Sequence, residues 1–377
     1  MVFLPYGKQS LDENDIQAVV EALRSDWLTT GPMVQEFEQA LARRVGVAYA
    51  VVFNSGTAAL HAAYHAAGVK AGDEVITSPI TFAATSNAAL YLGAKPIFAD
   101  IQSDTVNIDP NEIEDLITNR TRVIAPVDFA GHPADMDEII TLAKNNHIVV
   151  VEDAAHAIGA IYRGRSVGSM ADITTFSFHP VKHITTGEGG AAVTNSLDYY
   201  EKMLAFRSHG IVRAPEKMMD NHGPWYYEMQ ELGYNYRLTD IQCSLGLSQL
   251  KKLDGFLERR QDIVDYYNGE FAGLDIQLPV TRPEVIPAWH LYIVRLKRSN
   301  PSRIDIYNKL QLDGIGVQVH YLPVYWHPYY REMGYEKGLC PVAEDYYQRT
   351  ISLPLFPTME EADARRVVHS IKEFIKW

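Results

Sequence analysis

Cysteine is scarce in this sequence: 377 residues include two, Cys243 and Cys340. They form no CxxC pair, and no histidine stands at the spacing that zinc sites use. A disulfide-stapled small protein and a cysteine-based metal centre are therefore excluded, and we predict no metal ligands. Two reduced thiols in a reducing, cytoplasmic compartment are the simplest interpretation.

Long apolar runs are missing as well. No stretch reaches the ~18–20 residues needed to cross a bilayer, and the first residues show no basic segment followed by a long apolar core. The sequence therefore predicts no membrane span and no signal peptide. A composition of 47% hydrophobic and 21% charged residues instead predicts a globular protein.

Positive charge is in short supply: 34 Lys and Arg stand against 47 Asp and Glu, a net charge of −13. A surface of that sign argues against nucleic acid or an anionic membrane as a partner. A small pocket for an anionic ligand remains compatible, because backbone N–H groups and a few side chains can supply the positive potential locally.

The chain is longer than one ordinary domain, since domains usually have about 100–200 residues. Short β-branched runs alternate with helical patterns over the first two-thirds. This alternation predicts an α/β fold in which a mainly parallel sheet is sandwiched by helices. The predicted strands are residues 49–53, 74–77, 96–99, 123–127, 148–151, 173–178 and 190–194, with helices at 57–67, 82–92 and 136–145.

The pattern changes in the last third. A polar, turn-rich stretch at about 211–232 predicts a long loop. A long charged helix is predicted at 239–267, followed by a smaller α+β unit with strands at 291–296 and 316–321 and helices at 302–312 and 360–377. We therefore predict a large domain at 1–250 and a small C-terminal domain at 251–377.

The segment Ser55-Gly56-Thr57 follows a predicted strand and opens a predicted helix. Free N–H groups, the helix dipole and two hydroxyls at that point would suit a phosphate. An ordinary helix N-cap is the alternative.

The pair Glu152-Asp153 stands at the end of a predicted buried strand. A buried carboxylate needs a positive partner, or its pKa rises. A protonated pyridine nitrogen is one such partner, whereas a structural ion pair or a cap on the next segment would be purely structural.

Lys182 lies in a stretch poor in charge and is followed by Gly187-Glu188-Gly189-Gly190. Most lysines are exposed and uninvolved, but a confined lysine can lose its proton and attack a carbonyl. A phosphate cradle, a strand-end acid and a pocket lysine are together what pyridoxal 5′-phosphate (PLP) requires, for its phosphate, its ring nitrogen and its aldehyde.

With these segments the sequence resembles the DegT-type nucleotide-sugar aminotransferases, which have the aspartate-aminotransferase fold, PLP-dependent fold type I. The resemblance extends from Tyr6 to about Leu353. Its strongest markers are residues 55–60, 152–156, 176–179 with Lys182, 187–190 and 233–242.

The resemblance implies a role for each matching residue. Lys182 would bind the cofactor aldehyde, Asp153 would pair with the ring nitrogen, and His156 would lie beside the ring hydroxyl. The other implied cofactor contacts are Phe82 on the ring face, Gly56, Thr57 and Ser177 at the phosphate, and Asn235 reaching that phosphate across a homodimer with shared active sites.

Finer segments resemble the transaminases of pseudaminic acid synthesis, notably residues 183–186, 207–210, 224–230 and 318–321. The implied substrates are a UDP-linked 4-keto-6-deoxy-N-acetylhexosamine and L-glutamate, with pyridoxamine phosphate as the intermediate form of the cofactor. The implied substrate-binding residues are Tyr6, Asp26, Trp27, Leu28, Thr29, Ser55, Gln318, Val319, His320 and Tyr321. Core packing is the alternative for Trp27 and Trp225, and another UDP- or dTDP-linked keto sugar is the alternative substrate.

Two other classes of function stay open. A PLP-dependent dehydratase would use the same scaffold, but in that branch a histidine replaces the lysine that here is Lys182. A non-catalytic sensor of PLP or sugar is the second alternative, and no DNA-binding module supports it.

Overall fold

A computed structural model describes residues 2–298 and 301–375 of the chain. The helices are α1 (Glu13–Arg24), α2 (Pro32–Val45), α3 (Gly56–Ala66), α4 (Ala84–Tyr91), α5 (Pro110–Glu114), α6 (Met136–Asn145), α7 (Leu197–Arg207), α8 (Asp240–Leu250), α9 (Leu253–Phe271), α10 (Arg303–Leu312), α11 (Pro328–Glu332), α12 (Pro341–Arg349) and α13 (Glu361–Phe374). The strands are β1 (Tyr49–Phe53), β2 (Glu74–Thr77), β3 (Lys95–Phe98), β4 (Thr121–Ala125), β5 (Val149–Asp153), β6 (Ile161–Tyr162), β7 (Arg165–Ser166), β8 (Ile173–Ser177), β9 (Gly190–Thr194), β10 (Ile211–Val212), β11 (Glu228–Met229), β12 (Ile276–Gln277), β13 (Val285–Ile286), β14 (Tyr292–Leu296) and β15 (Thr350–Leu353).

Seven strands form one large sheet in the order β1-β9-β8-β5-β4-β2-β3. The neighbours from β8 to β3 pair in parallel, and β9 runs antiparallel to both β1 and β8. Parallel neighbours need crossovers, and that from β2 to β3 contains α4 and that from β4 to β5 contains α6, whereas that from β5 to β8 contains the short strands β6 and β7. The antiparallel β8 and β9 are joined directly by the loop 178–189. That loop contains Lys182, which therefore lies beyond the carboxyl end of β8.

Alternating side chains of each strand pack against opposite helical layers. Val51 and Phe53 of β1 pack with residues of α3 and α7, while Ala50 and Val52 pack with residues of α2. The same alternation recurs along the sheet, because successive strand residues point to opposite faces. The predicted α/β architecture, a mainly parallel sheet sandwiched by helices, is confirmed.

A separate apolar core lies in the C-terminal part of the chain. It joins α9, α10 and α13 to the strands β14 and β15, and it includes Leu4 from the start of the sequence. The strands there form a three-stranded sheet in the order β12-β14-β15. The predicted domain division at residues 250 and 251 stays a prediction.

Three sequence-based elements differ from the structure. Residues 239–267 form two helices, α8 and α9, with a break at Lys251 and Lys252, where the Lys252 ammonium contacts Asp15 of α1. Residues 316–321 form no regular strand, since Gln318 alone bridges to Ser352. The predicted loop 211–232 includes the short antiparallel pair β10–β11. All three depend on contacts between distant segments, which a local pattern does not contain.

Within the described residues, no helix has the length and apolarity that crossing a bilayer requires. Cys243 and Cys340 are both buried and free.

Candidate active site

A cavity of about 500 Å³ lies beyond the carboxyl ends of β5 and β8. Ligands of open α/β sheets bind at this edge, because loops and helix N-termini converge there. Eleven of the predicted site residues line it: Tyr6, Ser55, Gly56, Thr57, Phe82, Asp153, His156, Ser177, Lys182, His320 and Tyr321. Residues from both ends of the sequence therefore meet in one site.

Lys182 stands in the wall of this cavity, in the loop that follows β8. Withdrawal of its ammonium group from bulk water lowers the pKa of Lys182 to about 7, and the charge of Asp153 opposes this shift. The side chain therefore combines access to the cavity with a neutral amine near neutral pH, which are the two properties of a nucleophilic lysine.

This pKa gives a pH prediction. The neutral amine attacks an aldehyde, and it predominates above a pH of about 7. We expect covalent capture of pyridoxal phosphate by the apoprotein to become faster with rising pH and to level off above that value, as measured by borohydride trapping and mass spectrometry. A rate that keeps rising towards the ordinary lysine value of 10.5 would contradict a confined Lys182.

Asp153 ends β5, and both of its carboxylate oxygens accept hydrogen bonds. The Ala155 N–H donates to Oδ1 at 3.1 Å, and the Thr85 hydroxyl donates to Oδ2 at 2.7 Å. Burial raises the pKa of Asp153, and the hydrogen bonds from Thr85 and Ala155 and the charge of Lys182 oppose this shift, although the described residues place no cation in salt-bridge contact with it. A buried carboxylate held by donors but lacking a close cation is suited to a cationic ligand atom.

Glu152, the other acid of the predicted pair, does not line the cavity. Its Oε2 accepts from the Thr174 hydroxyl at 2.7 Å and from the Gly168 N–H at 3.2 Å. Adjacent residues of a strand point to opposite faces of the sheet. The strand-end carboxylate available to a ligand is therefore Asp153.

The N-terminus of α3 forms another part of the cavity wall. Ser55 is the N-cap, because its hydroxyl accepts from the Ala58 N–H at 3.1 Å. This contact confirms the capping interpretation for the Ser55 side chain. The first N–H groups of the helix, at Gly56 and Thr57, have no partner within it and remain available to an anion.

Glycine at position 190 lets β9 approach this helix start. A Cβ there would lie 2.6 Å from both the Gly56 nitrogen and the Ser55 carbonyl oxygen. These are backbone atoms, so relief would require displacing the start of α3. Gly190 therefore fixes the position of the predicted phosphate cradle.

Replacing Gly190 with alanine is expected to lower the free energy of unfolding by about 1–3 kcal/mol, the typical effect of overpacking, and to weaken cofactor retention. Gly255 in α9 is the matched control, since a Cβ there meets nothing within 4 Å. Gly255→Ala should stabilise the helix by about 0.5–1 kcal/mol. Urea unfolding and cofactor titration measure both effects, and equal behaviour of the two variants would contradict the packing argument.

Histidines surround Lys182 in this structure. Burial lowers the pKa of His156 and His290, and the Lys182 charge lowers it further, so both rings are neutral near pH 7. Their centroids lie 4.3 Å apart, and the Nδ1 atom of each is buried without a partner. The His156 Nε2 lies 3.4 Å from the Tyr321 hydroxyl.

His290 and Thr85 are site residues that the sequence reasoning missed. Thr85 stands three positions after Phe82, and this spacing puts both residues on one face of the predicted helix. Thr85 could therefore have been predicted as a site residue from the position of Phe82. His290 precedes β14, more than a hundred residues from Lys182, and nothing in its own segment indicates a site. The fold alone brings it to the cavity.

His320 lines the same cavity and is held there by residues of the C-terminal part of the chain. Its Nδ1 lies 2.7 Å from the Ser352 hydroxyl, and the Tyr346 hydroxyl donates to its carbonyl at 3.0 Å. Tyr6 packs against its ring, with centroids 5.5 Å apart. Tyr6 and His320 therefore form an aromatic wall that can contact a sugar or a base.

The remaining predicted site residues lie outside this cavity: Asp26, Trp27, Leu28, Thr29, Asn235, Gln318 and Val319. Trp27 and Leu28 are exposed, at 54% and 49%, and Asn235 is exposed as well. Thr29 bridges to Thr239, close in sequence to Asn235. Core packing is thus excluded as the role of Trp27, whereas binding by these residues stays a prediction.

The family comparison agrees with the site geometry. Residues 9–372 match the model of the DegT/DnrJ/EryC1/StrS aminotransferase family. A relative from Campylobacter jejuni strain 81-176, UDP-4-amino-4,6-dideoxy-N-acetyl-beta-L-altrosamine transaminase, is 43% identical over 99% of this chain and 98% of its own.

Two solved structures share the whole fold. Helicobacter pylori PseC, described as an aminotransferase of pseudoaminic acid biosynthesis, is 35% identical with a TM-score of 0.93 over 99% of both chains. The sugar aminotransferase Spr1654 from Streptococcus pneumoniae, described as putative, has a TM-score of 0.93 in its PLP form, at 33% identity over 99% of this chain and 98% of that one. Fold type I is confirmed, and the chain belongs to the DegT/DnrJ/EryC1/StrS aminotransferase family as a PLP-dependent sugar aminotransferase.

Proposed function

We propose that this aminotransferase moves the amino group of L-glutamate to the C4 keto group of a UDP-linked 4-keto-6-deoxy-N-acetylhexosamine. The product would be a 4-amino-4,6-dideoxy sugar nucleotide of the pseudaminic acid pathway. The observation that carries the chemistry is the meeting of Lys182, Asp153 and the start of α3 in one cavity. The similarity to the Campylobacter transaminase supports the choice of sugar.

The residues that line the cavity fit PLP at its ring nitrogen, its ring hydroxyl and its phosphate. Asp153 offers a buried carboxylate without a close cation, which a protonated ring nitrogen would complement. The buried Nδ1 of His156 has no partner among the residues that the structure describes and could accept a hydrogen bond from the ring hydroxyl. Gly56 and Thr57 offer helix N-terminal N–H groups to the phosphate, where Gly190 leaves room.

Lys182 is the proposed proton carrier. Its amine is neutral near pH 7, so it can accept a proton from the substrate carbon and return it to the cofactor carbon. When bound, PLP supplies the electron sink that stabilises negative charge on that carbon.

Asp153 and Phe82 are proposed to orient the cofactor. The Thr85 hydroxyl and the Ala155 N–H hold the Asp153 carboxylate in position, so that its charge stays on the ring-nitrogen side. Phe82 is 64% exposed in this structure, which leaves its ring free to stack.

We further propose that the active unit is a homodimer in which Asn235 serves the partner's phosphate site. Asn235 is exposed and does not line the cavity of its own chain, which supports this arrangement. Trp27 and Leu28 are exposed beside the bridge from Thr29 to Thr239 and would complete the sugar-nucleotide site across the same interface.

Mixing two inactive variants tests the shared site. In a heterodimer of Lys182→Ala and Asn235→Ala subunits, one site has both defects and the other has neither. We therefore expect mixing with subunit exchange to restore activity that neither variant shows alone. Each variant re-equilibrated by itself is the control, and a mixture that gains nothing would contradict a shared site.

A panel of keto sugars tests the substrate. The proposal predicts the highest kcat/KM with the UDP-linked 4-keto-6-deoxy-N-acetylhexosamine and release of one 2-oxoglutarate per amino sugar. Equal values with dTDP-linked sugars would defeat the specific substrate while leaving the aminotransferase class intact. Formation of a dehydrated sugar without 2-oxoglutarate would favour the dehydratase instead.

A further inference from the structure

Three carboxyl groups are buried near the end of β5: Asp153, which lines the cofactor cavity, and Asp128 and Glu152, which do not. Asp128 and Glu152 are each 0% exposed, and Asp153 is 5% exposed. Asp128 follows β4, and its N–H donates to the Asp153 carbonyl at 3.1 Å, so the groups sit on adjacent chain segments. Three negative charges so close together and so deeply buried would repel strongly.

The hydrogen bonds distinguish these three groups. Both oxygens of Asp153 accept from donors, as a carboxylate requires. Asp128 Oδ1 accepts from the Ala134 N–H at 2.9 Å, and Glu152 Oε2 accepts from Thr174 and Gly168. Asp128 Oδ2 and Glu152 Oε1 are buried and receive no donor from the described residues.

The side chains of Asp128 and Glu152 interact with each other, and this interaction favours the protonated form of Asp128 and the charged form of Glu152. Two carboxylates only repel each other, because both are acceptors, whereas an acid and a carboxylate can share a hydrogen bond. The charged group that faces the pair is Asp153, with Lys182 beyond Asp153. Burial and mutual repulsion raise the pKa of Asp128 above its ordinary range, and burial raises that of Glu152.

We propose that Asp128 and Glu152 share one proton in the working enzyme, so that the pair carries a single negative charge. The shared proton ties the end of β4 to β5 and limits the negative potential at Asp153. Asp128 and Glu152 are then positioning residues that act on the cofactor through Asp153. This consequence rests on the proposed role of Asp153, whereas the shared proton itself does not.

The proton has a direct spectroscopic readout. In the holoenzyme at neutral pH, infrared difference spectra should show the C=O stretch of a protonated carboxyl group. The band should disappear in both Asp128→Asn and Glu152→Gln, because an amide then replaces the acid and the remaining carboxylate is ionised. Asp153→Asn should retain it, as should Glu74→Gln, which removes a buried carboxylate that already pairs with Arg120.

A second measurement follows the pH dependence of stability. The folded pair holds its proton to a higher pH than the unfolded chain does, so it contributes stability that is lost as pH rises through the pair's folded pKa. Wild-type protein should therefore lose urea resistance on the alkaline side. Asp128→Asn should lose less, since it has no shared proton to release.

The outcomes separate this proposal from the proposed function. Absence of the band from wild type, its survival in both Asp128→Asn and Glu152→Gln, or its loss in Asp153→Asn alone would overturn the shared proton. An Asp153→Asn holoenzyme with unchanged cofactor absorbance and activity would instead overturn the role of Asp153 and leave the shared proton standing.

Discussion

Replacing Lys182 with alanine is expected to lower kcat by about 10²–10⁴-fold, the range that a positioned acid–base group contributes. The variant loses both the amine that binds the cofactor aldehyde and the group that moves the proton. The pKa of Lys182, about 7, allows this lysine to bind the aldehyde and to accept a proton near neutral pH, which an exposed lysine of ordinary pKa does not do. Steady-state turnover and mass spectrometry after borohydride reduction measure the two losses separately.

Two controls accompany this prediction. Lys202→Ala removes an exposed lysine that pairs with Asp198, and it should leave both readouts unchanged. Lys182→Arg keeps a positive charge but cannot provide a neutral amine near pH 7, so it should be as inactive as the alanine variant. Full turnover by Lys182→Ala would overturn the catalytic assignment.

Replacing Asp153 with asparagine is expected to lower kcat by about 10²–10³-fold, as the loss of a preorganised electrostatic group typically does. The amide keeps the shape of the side chain but removes the charge that would hold the ring nitrogen in its protonated form. The effect should appear in kcat more than in the KM for the sugar nucleotide, because Asp153 is proposed to pair with the cofactor ring nitrogen, whereas the aromatic wall of Tyr6 and His320 is proposed to contact the sugar nucleotide.

A graded series makes the test specific. Thr85→Val removes the hydroxyl that donates to Asp153 Oδ2 at 2.7 Å. A hydrogen bond to a charged group contributes about 1.5–3 kcal/mol, so we expect kcat to fall by about 10–10²-fold, no further than the lower end of the range for Asp153→Asn. If Thr85→Val were inactive while Asp153→Asn remained active, the order of effects would contradict the electrostatic role of Asp153.

The sequence predicted where the residues at the carboxyl ends of the strands lie, since that location depends on local features. Strand ends followed by polar residues mark the edge of a parallel sheet, so Asp153 and Ser177 could be placed there from the pattern alone. Lys182 was recognisable because it stands in a charge-poor loop before a glycine-rich turn. These residues line the cavity of the structure.

Other parts of the site depend on tertiary contacts that no local pattern contains. His290 reaches the cavity because its N–H donates to the Ala130 carbonyl in the segment after β4. The break between α8 and α9 falls where Lys252 contacts α1. The predicted strand at 316–321 is irregular because Gln318 pairs with Ser352 at one position only. Residues that would act across a dimer, such as Trp27 and Asn235, lie outside the cavity of the single chain.

The half-reaction with glutamate alone tests the central claim most directly. Holoenzyme incubated with L-glutamate and no sugar should release one 2-oxoglutarate per site, while the visible absorption of its lysine-bound PLP disappears and pyridoxamine phosphate forms. Adding the UDP-linked 4-keto sugar should then restore that absorption as the amino sugar leaves. A holoenzyme that kept its visible absorption and released no 2-oxoglutarate would contradict aminotransfer from glutamate at Lys182.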